Sequence, residues 1–258
     1  AARDDRLRLG AAAEGPGRLT PMAEREPLQL PEDPLEWAPM RAYDGRRSFE
    51  IRDPVVEPLW SGARVLAHVT VTPEAEPPAA VRLIEPMGAD LAEELPELAD
   101  IMGQGVLALD AIVDGVITRQ LTLDGVGAAA VPEVRSRPTE MFVRSNLDFD
   151  VEPRGIIEER ADEADPVDGF VAVDLLRLDG TLLLDVPLLE RKRLLESVIA
   201  PSRLLRVSDH VRPPADPWVA TWKSMGLAGG ILKAANSRYR PSDDTVEWRL
   251  VKRLNRRR

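Results

Sequence analysis

The chain has 258 residues, 30% of them charged, and a formal net charge of −10 at pH 7, so as a whole it repels polyanions and any nucleic-acid contact has to come from a local basic patch. It has no cysteine, which removes disulfides, thiolate nucleophiles and Cys-type metal sites, and its two histidines, His68 and His210, are too far apart in sequence to suggest a His-rich metal centre. No apolar run approaches the roughly 20 residues that span a bilayer, and the opening A-A-R-D-D-R is not a secretory leader; the expectation is a cytoplasmic protein without membrane contact.

Residues 1–48 are rich in Pro, Gly, Arg and Glu with weak periodicity, which predicts an extended Pro/Arg-rich arm or linker with little structure of its own. Trp37 stands apart in it as an anchor, to the rest of the chain or to a partner. From Ile51 the pattern changes, and A-R-V-L-A-H-V-T-V-T alternates with the period of a half-buried strand. A-A-V-R-L-I-E-P predicts another strand, and D-L-A-E-E-L-P-E-L-A-D-I-M an amphipathic helix broken or started at Pro96. V-L-A-L-D-A-I-V-D-G-V-I-T-R-Q-L-T-L predicts two strands around a turn at Asp114-Gly115.

The acidic stretch 148–168 reads as a solvated loop. G-V-G-A-A-A at 125–130 satisfies a dinucleotide fingerprint, but Pro132 is too close for the helix such a site needs, so a small-residue loop is the better reading. G-F-V-A-V-D-L-L-R-L-D-G-T-L-L-L-D-V-P predicts strand, turn and strand. A helix follows, apolar at Leu188, Leu189, Leu194, Leu195 and Val198 with charges between. P-W-V-A-T-W-K-S-M-G-L predicts a helix with Trp218 and Trp222 on one face. The last block predicts two strands around a polar loop. Many short strands with a few helices argue for an α+β fold with antiparallel sheets flanked by helices.

Residues 56–69 read V-E-P-L-W-S-G-A-R-V-L-A-H-V. This resembles the opening motif of the bacterial ATP-dependent DNA ligases, E-P-K-W-D-G-x-R-x-L-A-H-V, whose lysine attacks the α-phosphate of ATP. F-V-A-V-D-L-L-R-L-D-G and P-L-L-E-R-K are similar to that family's Y-x-x-F-D-L-L-x-L-D-G and L-P-L-L-E-R-R. G-L-A-G-G-I-L-K, S-R-Y-R-P and W-R-L-V-K are similar to G-L-E-G-x-x-x-K, S-x-Y-R-P-G and W-L-K-V-K. The likeness covers about residues 50 to 254 in unbroken order. It implies a ligase-type nucleotidyltransferase (ATP-grasp-like) fold: an adenylation domain over 49–258, with no OB-fold domain.

The same resemblance exposes losses. Leu59 stands at the nucleophile's position, so no catalytic residue is assigned, and the scarcity of lysine, found only at 192, 223, 233 and 252, leaves no substitute nearby. Ser61 replaces a carboxylate, Ile112 the acid that binds ribose in L-D-G-E, Val173 the aromatic that stacks on adenine, Ala228 a metal-associated glutamate and Leu250 a lysine. A leucine cannot form a covalent intermediate, and the lost carboxylates are the hard oxygen ligands that Mg²⁺ requires. Retained are Trp248 and a nucleotide or phosphate-binding remnant of Glu57, Arg64, Lys233 and Lys252.

The tail R-L-V-K-R-L-N-R-R-R carries six cations and no acid, which makes Arg253, Arg256, Arg257 and Arg258 candidates for DNA phosphates; a frayed solubilising terminus is an equal reading. The expected function is a catalytically inactive, ligase-like adenylation domain acting as a binding or scaffolding module in DNA repair. DNA and other repair proteins are the implied partners, and no cofactor is expected. Two alternatives stay open. One is an active ligase using ATP and Mg²⁺ through a lysine such as Lys233 and a partner's OB domain; the other is a protein-interaction module that contacts its partner through residues 1–48.

Overall fold

The computed structural model describes residues 30–44, 50–120 and 168–251. Two sheets, largely antiparallel, lie against each other. One has four strands in the order β1 (Arg41–Tyr43), β10 (Asp244–Val251), β9 (Gly230–Ala234), β2 (Pro54–Pro58). The other runs β4 (Ala79–Ile84), β3 (Ala63–Val71), β5 (Asp110–Thr118), β6 (Gly169–Leu178), and along the free edge of β6 pair the short β7 (Thr181–Leu182) and β8 (Leu205–Val207). The pairings β1–β10 and β6–β8 are parallel; the rest are antiparallel.

Alternation along the strands sorts side chains into three apolar clusters. Val65, Ala67 and Val69 of β3 meet Leu98 and Met102 of α1 (Pro96–Gly105) and Leu195 and Val198 of α2 (Leu188–Val198). Leu66, on the opposite face of β3, joins Ile112, Leu176 and Leu188 to Val55, Leu59, Ile231, Trp248 and Leu250 of the four-stranded sheet, filling the space between the sheets. Val56, one residue from Val55 and so on the outer face, packs under Val219 and Trp222 of α3 (Asp216–Ser224). The layers are therefore helix, six-stranded sheet, four-stranded sheet, helix. None of the described helices is long and apolar enough to cross a membrane.

Two expectations are corrected. The boundary after residue 48 does not hold as a structural break: β1 is a strand of the four-stranded sheet, a one-turn 3₁₀ helix spans Pro34–Glu36, and Trp37 is 4% exposed in the inter-sheet cluster. Apolar burial of Trp37, Met40 and Ala42 outweighs the low periodicity around them. The turn at Asp114-Gly115 is also absent. β5 is continuous there, and the register against β6 slips by a bulge between the two residues. Asp114 remains in mid-strand because Arg64 and the Tyr239 hydroxyl satisfy it, and a Cβ on Gly115 would lie 2.2 Å from Phe170 Cζ, so the glycine serves close packing. The Asp-Gly pair between β6 and β7, in contrast, is a turn, with φ of 45° at Asp179 and 80° at Gly180.

Candidate functional site

The inter-sheet layer holds, besides its apolar cluster, a fully buried set of charges. β2 turns Val55 and Glu57 inward, Leu59 follows just past its end, β9 turns Ile231 and Lys233, and β10 turns Trp248 and Leu250. The registers place Lys233 between Val55 and Trp248, and Ile231 between Glu57 and Leu250. From the other sheet come Arg64, Asp114 and Asp174, and from α2 Arg191 and Lys192. Four cations thus face three carboxylates with essentially no solvent access.

These groups form three ion-paired centres. Glu57 Oε2 accepts from Lys233 Nζ and is ion-paired with Lys192 Nζ, each at 3.0 Å, while Lys192 Nζ donates to Ser208 O at 3.4 Å and Glu57 Oε1 is buried with no hydrogen-bond partner. Lys233 Nζ also lies 4.2 Å from the centroid of the Trp248 ring. Arg191 donates through both arms of its guanidinium to Asp174 at 2.8 Å, and also to the carbonyls of Val186 and Ser237. Arg64 makes a two-armed pair with Asp114, and Tyr239 Oη donates to Asp114 Oδ2 at 2.7 Å while accepting from Met40 N at 2.9 Å. Tyr239 thereby ties the segment before β1 to β5.

Burial sets the proton affinities. It lowers Lys233 from 10.5 to about 8; Glu57 works against this fall, while Lys192 and Arg64 add to it. Burial raises the Asp174 carboxyl, but Arg191, helped by Lys233 and Lys192, more than reverses this and holds it below its ordinary value. Burial and the charge of Asp114 raise the Tyr239 phenol well above 10. His68 falls to about 4 through burial and the neighbouring Arg82 charge, so it is neutral at pH 7.

At the end of β2 a chain of polar contacts fixes the segment from Leu59 to Gly62. Leu59 N donates to Gly229 O at 3.0 Å, Trp60 Nε1 to Ser208 Oγ at 3.0 Å, and Ser61 N to Gln120 Oε1 at 2.9 Å. Gln120 Nε2 in turn donates to Gly226 O at 3.3 Å. Gly62, at φ +149°, lies so close to β5 that a Cβ would stand 2.0 Å from Ile117 O.

The ligase domain of M. tuberculosis LigD aligns with this chain at a TM-score of 0.55 and 25% identity, over 84% of this chain and 59% of that one. A mycobacterial DNA ligase D complexed with ATP and MES aligns at 0.55 and 24%, over 84% and 60%. The fold is that of a ligase-type nucleotidyltransferase domain. This chain spans about three fifths of those two ligase structures. No protein-family model and no curated protein matches it.

Four of the six positions singled out in the sequence meet at the inter-sheet layer. Leu59, Ile112 and Leu250 belong to one apolar cluster, with Ala228 packed against it, and Val173 is 3% exposed. Mg²⁺ is not matched by the donors present. Each of the three buried carboxylates is committed to cations, and among the described residues no group of three His, Cys, Asp or Glu could hold a metal.

Glu57 and Lys233 form an ion pair, and Arg64 shares their layer. Lys252, Arg253, Arg256, Arg257 and Arg258 lie outside the described residues, as do the run 125–130 and nearly all of the acidic stretch 148–168. Sequence reasoning missed Arg191, Lys192, Asp114, Asp174 and Tyr239. A signal existed for the first two: 188, 191, 192, 195 and 198 trace one helical face, so the stripe anchored by Leu188, Leu195 and Val198 already included both cations.

Proposed function

We propose that this chain is a ligase-type adenylation domain that no longer transfers nucleotide and works as a binding or scaffolding module in DNA repair. The observation that carries this reading is the single apolar cluster that Leu59, Ile112, Leu250 and Ala228 share across the two sheets. Adenylyl transfer needs a nucleophile in line with the α-phosphate and fixed charges on the oxygens around it. Leucine offers no nucleophile, and the apolar contacts of these side chains favour a closed layer over one that admits a triphosphate. The seven buried charges that pair across the same layer support a module whose two-sheet shape is specified.

DNA and repair proteins are the proposed partners, with the basic tail as the DNA contact, because the structural neighbours are DNA ligases. Fluorescence anisotropy with a nicked duplex tests this. The full chain should bind at about 50 mM salt and weaken steeply as salt rises, and replacing Arg253, Arg256, Arg257 and Arg258 by Gln should flatten that dependence. No binding to nicked or intact duplex at low salt would overturn the DNA part. A second reading, favoured by the low proton affinity of Lys233, makes that lysine the nucleophile. It requires ATP- and Mg²⁺-dependent labelling that Lys233→Ala abolishes.

A further inference from the structure

Two fully buried ammonium groups from different elements, Lys192 on α2 and Lys233 on β9, converge on one oxygen of Glu57 at 3.0 Å each. Ammonium groups in an interior stay there only beside compensating charge. Asp174 and Asp114 are not available for this, because Arg191 takes both oxygens of the first and Arg64 both oxygens of the second. Among the described residues Glu57 is therefore the acid in direct contact with both lysines, with Asp174 acting on them only at longer range. Its second oxygen, Oε1, is buried without a donor, so the carboxylate is held by the lysines rather than by a hydrogen-bond network of its own.

Carboxylate and phosphoryl oxygens present the same acceptor to a lysine. We infer that Lys192 and Lys233 form a latent site for a phosphoryl oxyanion and that the Glu57 carboxylate occupies it as an internal ligand. The inference rests on the reading of this layer as a former nucleotide site. It adds the reason the layer stays folded when empty: β2 supplies from within the chain the negative charge that a bound phosphate would bring. An incoming phosphate has to displace a carboxylate tethered within reach of both lysines, so the intact protein has little affinity for it.

The test is thermal unfolding of the full chain at pH 7 in inorganic phosphate, with sodium chloride of equal ionic strength as control and a parallel series with ATP. The wild type should melt at the same temperature in phosphate and chloride. Glu57→Ala vacates the space between the ammonium groups, and its melting temperature should rise saturably by about 3 °C or more in phosphate. Glu57→Ala/Lys233→Met should lose that response. An equal gain with ATP and phosphate would assign recognition to the phosphoryl group; a larger gain with ATP would extend it to the nucleoside.

If Glu57→Ala does not fold alone, refolding it in phosphate and in chloride reads the same property. Recovery in phosphate alone supports the inference. Recovery in neither overturns it, as would a saturable phosphate response of the wild type that Lys233→Met removes. Transfer of AMP to the wild type would instead refute the proposed function, and the phosphate series would still be read independently.

Discussion

Lys233 has its ammonium inside the protein, on Glu57 and over Trp248, with Lys192, Asp174 and Arg64 as its other charged neighbours. Its affinity for a proton is lower folded, at about 8, than its ordinary 10.5. Between those values the unfolded chain binds the proton more tightly, so this group adds stability as pH rises through 8 and withdraws it as pH falls. By pH 10 the gain amounts to about 2 kcal/mol. Tyr239 acts in the opposite sense above pH 10, since its folded phenol releases its proton later than the unfolded one. Urea titrations between pH 7 and 10 should therefore show stability rising in the wild type and a flatter profile in Lys233→Met; parallel profiles would mean that Lys233 is not the buried titrating group. At this scale the sequence showed Glu57 and Lys233 through the resemblance but hid Arg191 and Lys192, because a charged residue on a helix is ordinarily assigned to solvent. Burial became affordable for them only through Asp174 and Glu57, each on a strand distant in sequence.

At the scale of elements, apolar periodicity located β3, β4, β6, α1, α2 and α3, although β3 and β6 bury both faces, one in each of two clusters. β5 was misread for a physical reason. An Asp-Gly pair between apolar runs carries the same local signal whether it turns or bulges, and only Arg64, Tyr239 and Phe170, all remote in sequence, decide for the bulge. The segment from residue 30 was misread for the opposite reason, since its structure comes from docking and not from propensity. Trp37, Met40 and Ala42 enter the inter-sheet cluster, Met40 N donates to Tyr239, and Arg41 pairs with Asp244 at 2.5 Å. Trp37→Ala should accordingly cost about 3 to 5 kcal/mol in urea unfolding, the range for a buried large aromatic. A loss below about 1 kcal/mol would return this segment to the status of a peripheral arm.

For the whole molecule, the ordered motifs conveyed the two-sheet architecture before any contact was known, and the space between the sheets carries the functional conclusion. There buried ion pairs join the sheets, and aliphatic side chains from β5, β10 and the residue after β2 fill the space beside them. The apolar filling was legible only as separate positions, 59, 112, 228 and 250. Their joining into one layer, with Glu57 held between two lysines, follows from the pairing of β2 with β9 and of β9 with β10. A nucleotidyltransferase that has lost its nucleophile should not take up AMP under any condition that leaves it folded. Intact-protein mass spectrometry after incubation with ATP and Mg²⁺, with the Leu59→Lys/Ser61→Asp variant alongside, tests that directly. The expected result is an unmodified wild-type mass; an added AMP on the wild type, mapped to Lys233 or any other lysine, would contradict a silent domain.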